Sequence, residues 1–128
     1  MSIKAISTDQ APAAIGPYSQ AIIAGDFMYI SGQIPLDPAT GELVERTIEV
    51  QTTRVFDNLK AILNEAGKDF SNVVKAEVYL DNMNDFKAVN TIYAQYFTTE
   101  PKPARQAVEV AKLPLEVLIE VSLIVFMG

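Results

Sequence analysis

Two isolated charges dominate the chemistry available to this sequence, Arg105 and Glu120. Arg105 stands between Pro-Lys-Pro-Ala (101–104) and Gln-Ala-Val-Glu-Val (106–110), far in sequence from Arg46 and Arg54. A guanidinium is planar, permanently charged and able to grip a carboxylate through two parallel N–H donors. Arg105 is therefore a candidate anchor for an anionic small molecule; a strand-end ion pair with Glu77 or Glu109 is the competing explanation. Glu120 is the one charge in the apolar run Val117–Phe126, flanked by Ile119 and Val121. A carboxylate in such surroundings either pairs with a cation or holds its proton more tightly than usual, and both states suit a functional site. A structural ion pair buried at a subunit interface would explain it equally well. Ser122 falls on the same side of this run as Glu120.

Smaller polar groups cluster in two segments, Ala-Ile-Gly-Pro-Tyr-Ser-Gln (14–20) and Ile-Ser-Gly-Gln-Ile-Pro (30–35). They supply hydroxyls and backbone N–H groups, and Gly32 would let a ligand approach the main chain closely. Turn formation accounts for either segment alone, and Tyr18 also suits a half-buried strand position. Asn90 lies four residues after Phe86 and three before Tyr93, at the edge of an apolar stripe, where its amide must find a hydrogen bond. A partner across a helix–sheet contact would satisfy it.

What the chain lacks narrows the chemistry. It has no Cys and no His, which removes disulfides, thiolate metal sites, Cys nucleophiles, Ser-His-Asp triads and the usual neutral-pH base. Catalysis must use carboxylates, Lys, Arg, Tyr, Ser, Thr, backbone groups and water. No Asp-rich loop has EF-hand spacing, so no metal or cofactor is expected. With 16 acidic and 10 basic residues the net charge is −6, and only three arginines are present. That balance argues against binding to a nucleic-acid backbone. The first ten residues contain no apolar signal-peptide core, and the longest uncharged run, Gln10 to Gly25, is broken by Pro12, Gly16 and Pro17. No membrane association is expected, and the expected compartment is the cytoplasm.

The elements that must position these groups fit one domain over residues 1–128, with 49% apolar and 20% charged residues. Tyr18–Ala24 and Phe27–Ser31, split by Gly25-Asp26, read as a β-hairpin. Thr47 to Ala66 reads as a helix, because Val55, Leu59, Ile62, Leu63 and Ala66 form one stripe and Gly67 follows as a C-terminal glycine. Val73–Leu80 reads as a strand. A second helix should start at an Asn84 cap and carry Phe86, Val89, Tyr93, Tyr96 and Phe97 inward, until Pro101 and Pro103 end it. Arg105–Val110 and Val117–Phe126 read as strands. In the last, the odd positions are all apolar, and the even set is apolar except for Glu120 and Ser122. Two helices can cover one sheet face, so a second subunit is expected over the other.

Taken together, these residues resemble the Rid family of reactive-intermediate deaminases, also called the YjgF or L-PSP family. The resemblance is carried by residues 11–21 (Ala-Pro-Ala-Ala-Ile-Gly-Pro-Tyr-Ser-Gln-Ala), 31–35, 57–67 and 84–90, by Pro-Ala-Arg (103–105), and by Ile-Glu (119–120). It implies a chorismate-mutase-like α+β fold with both helices on one face of a mixed sheet and the last strand central. It also implies a homotrimer with clefts between subunits, and cofactor-independent hydrolysis of enamines and imines such as 2-aminoacrylate, 2-iminopropanoate and 2-iminobutanoate. In that scheme Arg105 clamps the substrate carboxylate and Glu120 polarises the attacking water. The backbone near Ser31, Gly32 and Ala107 offers hydrogen bonds, Tyr18 walls the cleft, and Asn90 supports it. Ala107 replaces a Cys found in many members, and Gln106 is larger than usual. The rival functions are a non-enzymatic trimer that binds 2-oxo or amino acids, a ribonuclease and a chaperone.

Overall fold

The computed structural model describes residues 2–128, and its longest element shows how the chain sorts its apolar residues. Helix α1 (Ile48–Glu65) opens at Thr47, whose side chain accepts a hydrogen bond from the Val50 N–H at 3.2 Å. It closes at Ala66 and Gly67, where φ of +72° suits glycine. There the Gly67 N–H donates to Asn64 O at 3.0 Å and the Lys68 N–H to Leu63 O at 2.9 Å, so that carbonyls of the last turn are satisfied. Val55, Leu59, Ile62 and Leu63 are completely buried, and each contributes about 1.5–3 kcal/mol by leaving water.

Six strands form the sheet: β1 (Ile3–Ile6), β2 (Ala21–Ala24), β3 (Phe27–Gln33), β4 (Val73–Leu80), β5 (Ala104–Glu109) and β6 (Ile119–Phe126). Helix α2 (Phe86–Tyr96) follows β4. The hairpin expected from Tyr18 onward begins three residues later, at Ala21. Tyr18 instead turns back, its N–H bonded to Gly16 O at 2.9 Å. The buried Gln20 side chain accepts from Thr8 N at 2.7 Å and donates to Pro12 O at 2.8 Å, which ties down the loop ahead of the strand. The expected Asn84 cap is also displaced. Asn82 caps a 3-10 turn over Met83–Asp85, accepting from Asn84 N at 2.8 Å, and α2 begins only after that turn.

The strand order is β1-β2-β3-β6-β4-β5. Strand β6 is central and antiparallel to both β3 and β4, whereas β4 and β5 run parallel. This is the mixed-sheet α+β arrangement expected, with both helices on one face. Met28, Ile30, Ala76, Val78, Ile119, Val121, Leu123 and Val125 point to that face and are buried with the helix stripes. The opposite face carries the Tyr29↔Ile124, Glu77↔Ser122 and Tyr79↔Glu120 pairs. It is open in the single chain, with Tyr29, Phe126 and Val108 each exposed by more than two-fifths. Among the described residues, no helix is long and apolar enough to cross a membrane.

Candidate functional site

Strand β5 delivers Arg105 to the helix side of the sheet. It pairs in register with the buried Ala76, so its side chain leaves the same face, beneath α2. Neither Glu77 nor Glu109 takes it as an ion-pair partner. Nη1 donates instead to Asn90 Oδ1 at 2.6 Å, and the guanidinium carbon lies 4.7 Å from the Tyr93 ring centre and 5.2 Å from that of Phe86. Asn90, Tyr93, Phe97, Lys102, Pro103 and Arg105 line a pocket of about 390 Å3.

Ala107 follows on the same face, half-buried against the core. The Val110 N–H bonds to Leu80 O at 3.0 Å. Because main-chain groups alternate along a strand, those of Arg105 and Ala107 point away from β4, off the outer edge of the sheet. The Ala107 N–H thus points off the edge of the sheet, two residues along the same strand from Arg105.

A second group gathers on the opposite face. Between Ile30 and Gln33 the pairing of β3 with β6 slips by one residue, so Ser31 and Gly32 form a bulge across from Ser122. The bulge brings Gly32 directly over Glu120: a Cβ placed on Gly32 would overlap the carboxylate and lie 2.9 Å from its carboxyl carbon. Ser31 keeps the bulge in place, donating its hydroxyl to Ser19 O at 2.6 Å and its N–H to Gln20 O at 3.0 Å. Tyr18 and Gly32 share the wall of a cleft of about 290 Å3 with Ile15 and Leu115. Two successive residues with positive φ, Leu115 at 53° and Glu116 at 57°, turn Leu115 outward there.

Glu120 itself is half-buried, and among the described residues it has no cationic partner. Burial raises its carboxyl pKa above the ordinary range. Its cross-strand neighbour Tyr79 donates to Glu77 Oε2 at 2.9 Å, so the nearby polar groups are neutral or acidic.

The seven expected site residues thus divide. Arg105, Asn90 and Ala107 stand on the helix side, and Glu120, Gly32, Ser31 and Tyr18 belong to the other group. Residues 105 and 120 leave opposite faces of one sheet, so a single chain does not bring them together. Phe86 and Tyr93 complete the surroundings of Arg105; their helical spacing marked them as core, and nothing in the sequence separated that role from contact with the arginine.

Comparison with known proteins places this geometry among relatives. Residues 8–127 match the family described as Endoribonuclease L-PSP. A RutC family protein of Pyrococcus abyssi is 53% identical over 126 residues, covering 98% of each chain. The chloroplastic Reactive Intermediate Deaminase A of Arabidopsis thaliana is 48% identical over 119 residues, covering 93% of this chain and 63% of the plant protein. The crystal structure of YyfA, a conserved Rid-family protein of Yersinia pestis, superposes with a TM-score of 0.95 at 46% identity, covering 98% of this chain and 99% of that one.

Proposed function

Because the chain belongs to the Endoribonuclease L-PSP family, which also embraces Rid proteins and a relative named as a reactive-intermediate deaminase, we propose that it hydrolyses 2-imino acids to 2-oxo acids and ammonia. Substrates would include 2-iminopropanoate and 2-iminobutanoate, with 2-aminoacrylate entering as its imine tautomer. The observation that carries this reading is the state of Arg105. Its guanidinium is held by a neutral amide and two rings, with no carboxylate partner among the described residues. Its charge is left for a ligand.

In the proposed mechanism, Arg105 and the outward backbone of Ala107 grip the substrate carboxylate and fix the C=N group. Water adds to the imine carbon as Glu120 accepts a proton from it, and the π electrons pass to nitrogen. The adduct then collapses: Glu120 returns the proton to the nitrogen and carries the hydroxyl proton there as well, so that the C–N bond breaks, ammonia leaves and the oxygen becomes the new carbonyl. A carboxyl pKa raised by burial suits this exchange, since a more basic carboxylate accepts the proton more readily. Tyr18 and Gly32 wall the cleft around the attacked carbon.

Placing Arg105 and Glu120 on opposite faces supports an assembled site. One subunit would present Arg105 at its β5 edge, and a neighbour would present Glu120 from its open sheet face; a homotrimer provides three such clefts. The exposed Tyr29, Val108 and Phe126 support burial of that open face between copies.

The test is a coupled assay in which an amino-acid dehydratase generates the imine and 2-oxo acid appearance is followed. A rate above spontaneous hydrolysis is expected, and its absence across several parent amino acids would leave the ligand-binding trimer. Ribonuclease action has less support. The three arginines are dispersed: Arg46 is bound to Glu116 O, Arg54 to Asn58 and Arg105 to Asn90.

A further inference from the structure

Phe86, Asn90 and Tyr93 fall at i, i+4 and i+7 on α2, so one helical stripe faces the edge strand that carries Arg105. Both ring centres lie within the range, about 6 Å, over which an aromatic face attracts a cation. The Tyr93 ring is itself immobilised. It stacks on Phe97 with centres 4.3 Å apart, meets Phe56 edge-on at 5.7 Å and is 8% exposed. Its buried hydroxyl has no hydrogen-bond partner, so what it offers Arg105 is the ring face and not the oxygen.

The consequence lies in what these contacts leave untouched. A carboxylate partner would orient a guanidinium equally well, but it would also occupy its N–H donors and cancel its charge. Aromatic faces do neither. Of the five N–H groups, one goes to Asn90, and the fork remains open for a ligand.

We propose that Phe86 and Tyr93 are positioning residues for Arg105, orienting its guanidinium for two-point carboxylate binding while leaving its charge unneutralised. This rests on Arg105 being the carboxylate anchor.

The experiment titrates the intact oligomer with 2-oxobutanoate by calorimetry and measures KM and kcat for imine hydrolysis. The variants are Phe86→Leu, Tyr93→Leu, Tyr93→Phe and Arg105→Ala. Loss of either ring should weaken 2-oxobutanoate binding by about threefold to thirtyfold, with KM rising by a similar factor and kcat changing much less. Tyr93→Phe, which keeps the ring, should restore binding toward the wild-type value. A merely structural role would lower the active fraction, and so kcat, without moving KM or the affinity of the folded remainder; that result overturns the proposal. Phe86 sits at the half-buried margin of the core, so Phe86→Leu carries the test if Tyr93→Leu does not fold. Unchanged binding in Phe86→Leu, with Arg105→Ala unable to bind, overturns the positioning role alone. Unchanged binding in Arg105→Ala overturns the anchor itself.

Discussion

The carboxylate of Glu120 fills the space in which a side chain at residue 32 would begin. Gly32 is therefore required for its small size and not for its backbone angles, since it is absent from the glycines with positive φ. The atom in the way is the mobile end of a long side chain, so Gly32→Ala should swing the carboxylate aside without unfolding the sheet. The expected outcome is a loss of about ten- to a hundredfold in imine hydrolysis, with a melting temperature near that of the wild type. Parallel thermal melts and rate measurements check it.

Removing Arg105 should separate binding from folding. It is exposed on an edge strand and makes one hydrogen bond to another side chain, so Arg105→Ala should melt close to the wild type. Activity should fall by about a hundredfold or more, because a carboxylate without its two-point clamp is no longer held in line for attack. Arg105→Lys should recover little of this, since an ammonium cannot reproduce the planar fork. Steady-state rates with a dehydratase-generated imine decide it.

Glu120→Gln keeps shape and hydrogen bonding but removes the exchangeable charge. Hydrolysis should slow by about 10²- to 10⁴-fold while 2-oxobutanoate still binds through Arg105. Stability should move the other way. Burial raises the folded carboxyl pKa above its ordinary value of 4.5, so the folded state binds this proton more tightly than the unfolded chain. Folding is thus favoured below the unfolded pKa, and that advantage disappears as pH rises through the folded pKa. The wild type should lose melting temperature relative to Glu120→Gln across that window, and its activity should rise there as the carboxylate forms. Paired melts and rates between about pH 4 and 8 measure both.

Opposite-face placement makes a mixing prediction. Arg105→Ala and Glu120→Gln are each expected to be inactive as pure oligomers. Denatured together and refolded, they should regain on the order of a quarter of wild-type activity, because some clefts then combine an intact Arg105 with an intact Glu120 from different chains. No recovery in verified mixed oligomers would place the two residues in separate sites.

Much of the architecture was legible because apolar periodicity reports burial directly. The Val55–Leu63 stripe led to the longest helix and the apolar run 117–126 to the last strand, whose central place followed from the family resemblance and not from periodicity. The hairpin start and the second helix cap were misplaced for a common reason: Gln20 and Asn82 act through side-chain bonds to loop backbone, and periodicity does not register those. Arg105 and Glu120 stood out as isolated charges. Their facing did not, since it depends on the Ala76↔Arg105 and Tyr79↔Glu120 registers, which are set by pairing between distant segments. Phe86 and Tyr93 were hidden differently: an aromatic that fills a core and one that steadies a cation have the same helical spacing.

The central position of β6 bears on how the chain acquires its shape. Strands β1–β3 form one antiparallel ribbon and β4–β5 one parallel pair, and residues 119–126 are what join them. Until that segment is made and inserted, the two halves have no shared hydrogen bonds in the sheet, and each presents an unpaired inner edge. Closure must bring β3 against a strand more than 80 residues later in the chain, which slows folding through the loss of loop freedom. Nascent chains are therefore most vulnerable to edge-to-edge association just before β6 emerges, and substitutions that roughen this one strand should depress soluble yield more than equal changes in β1.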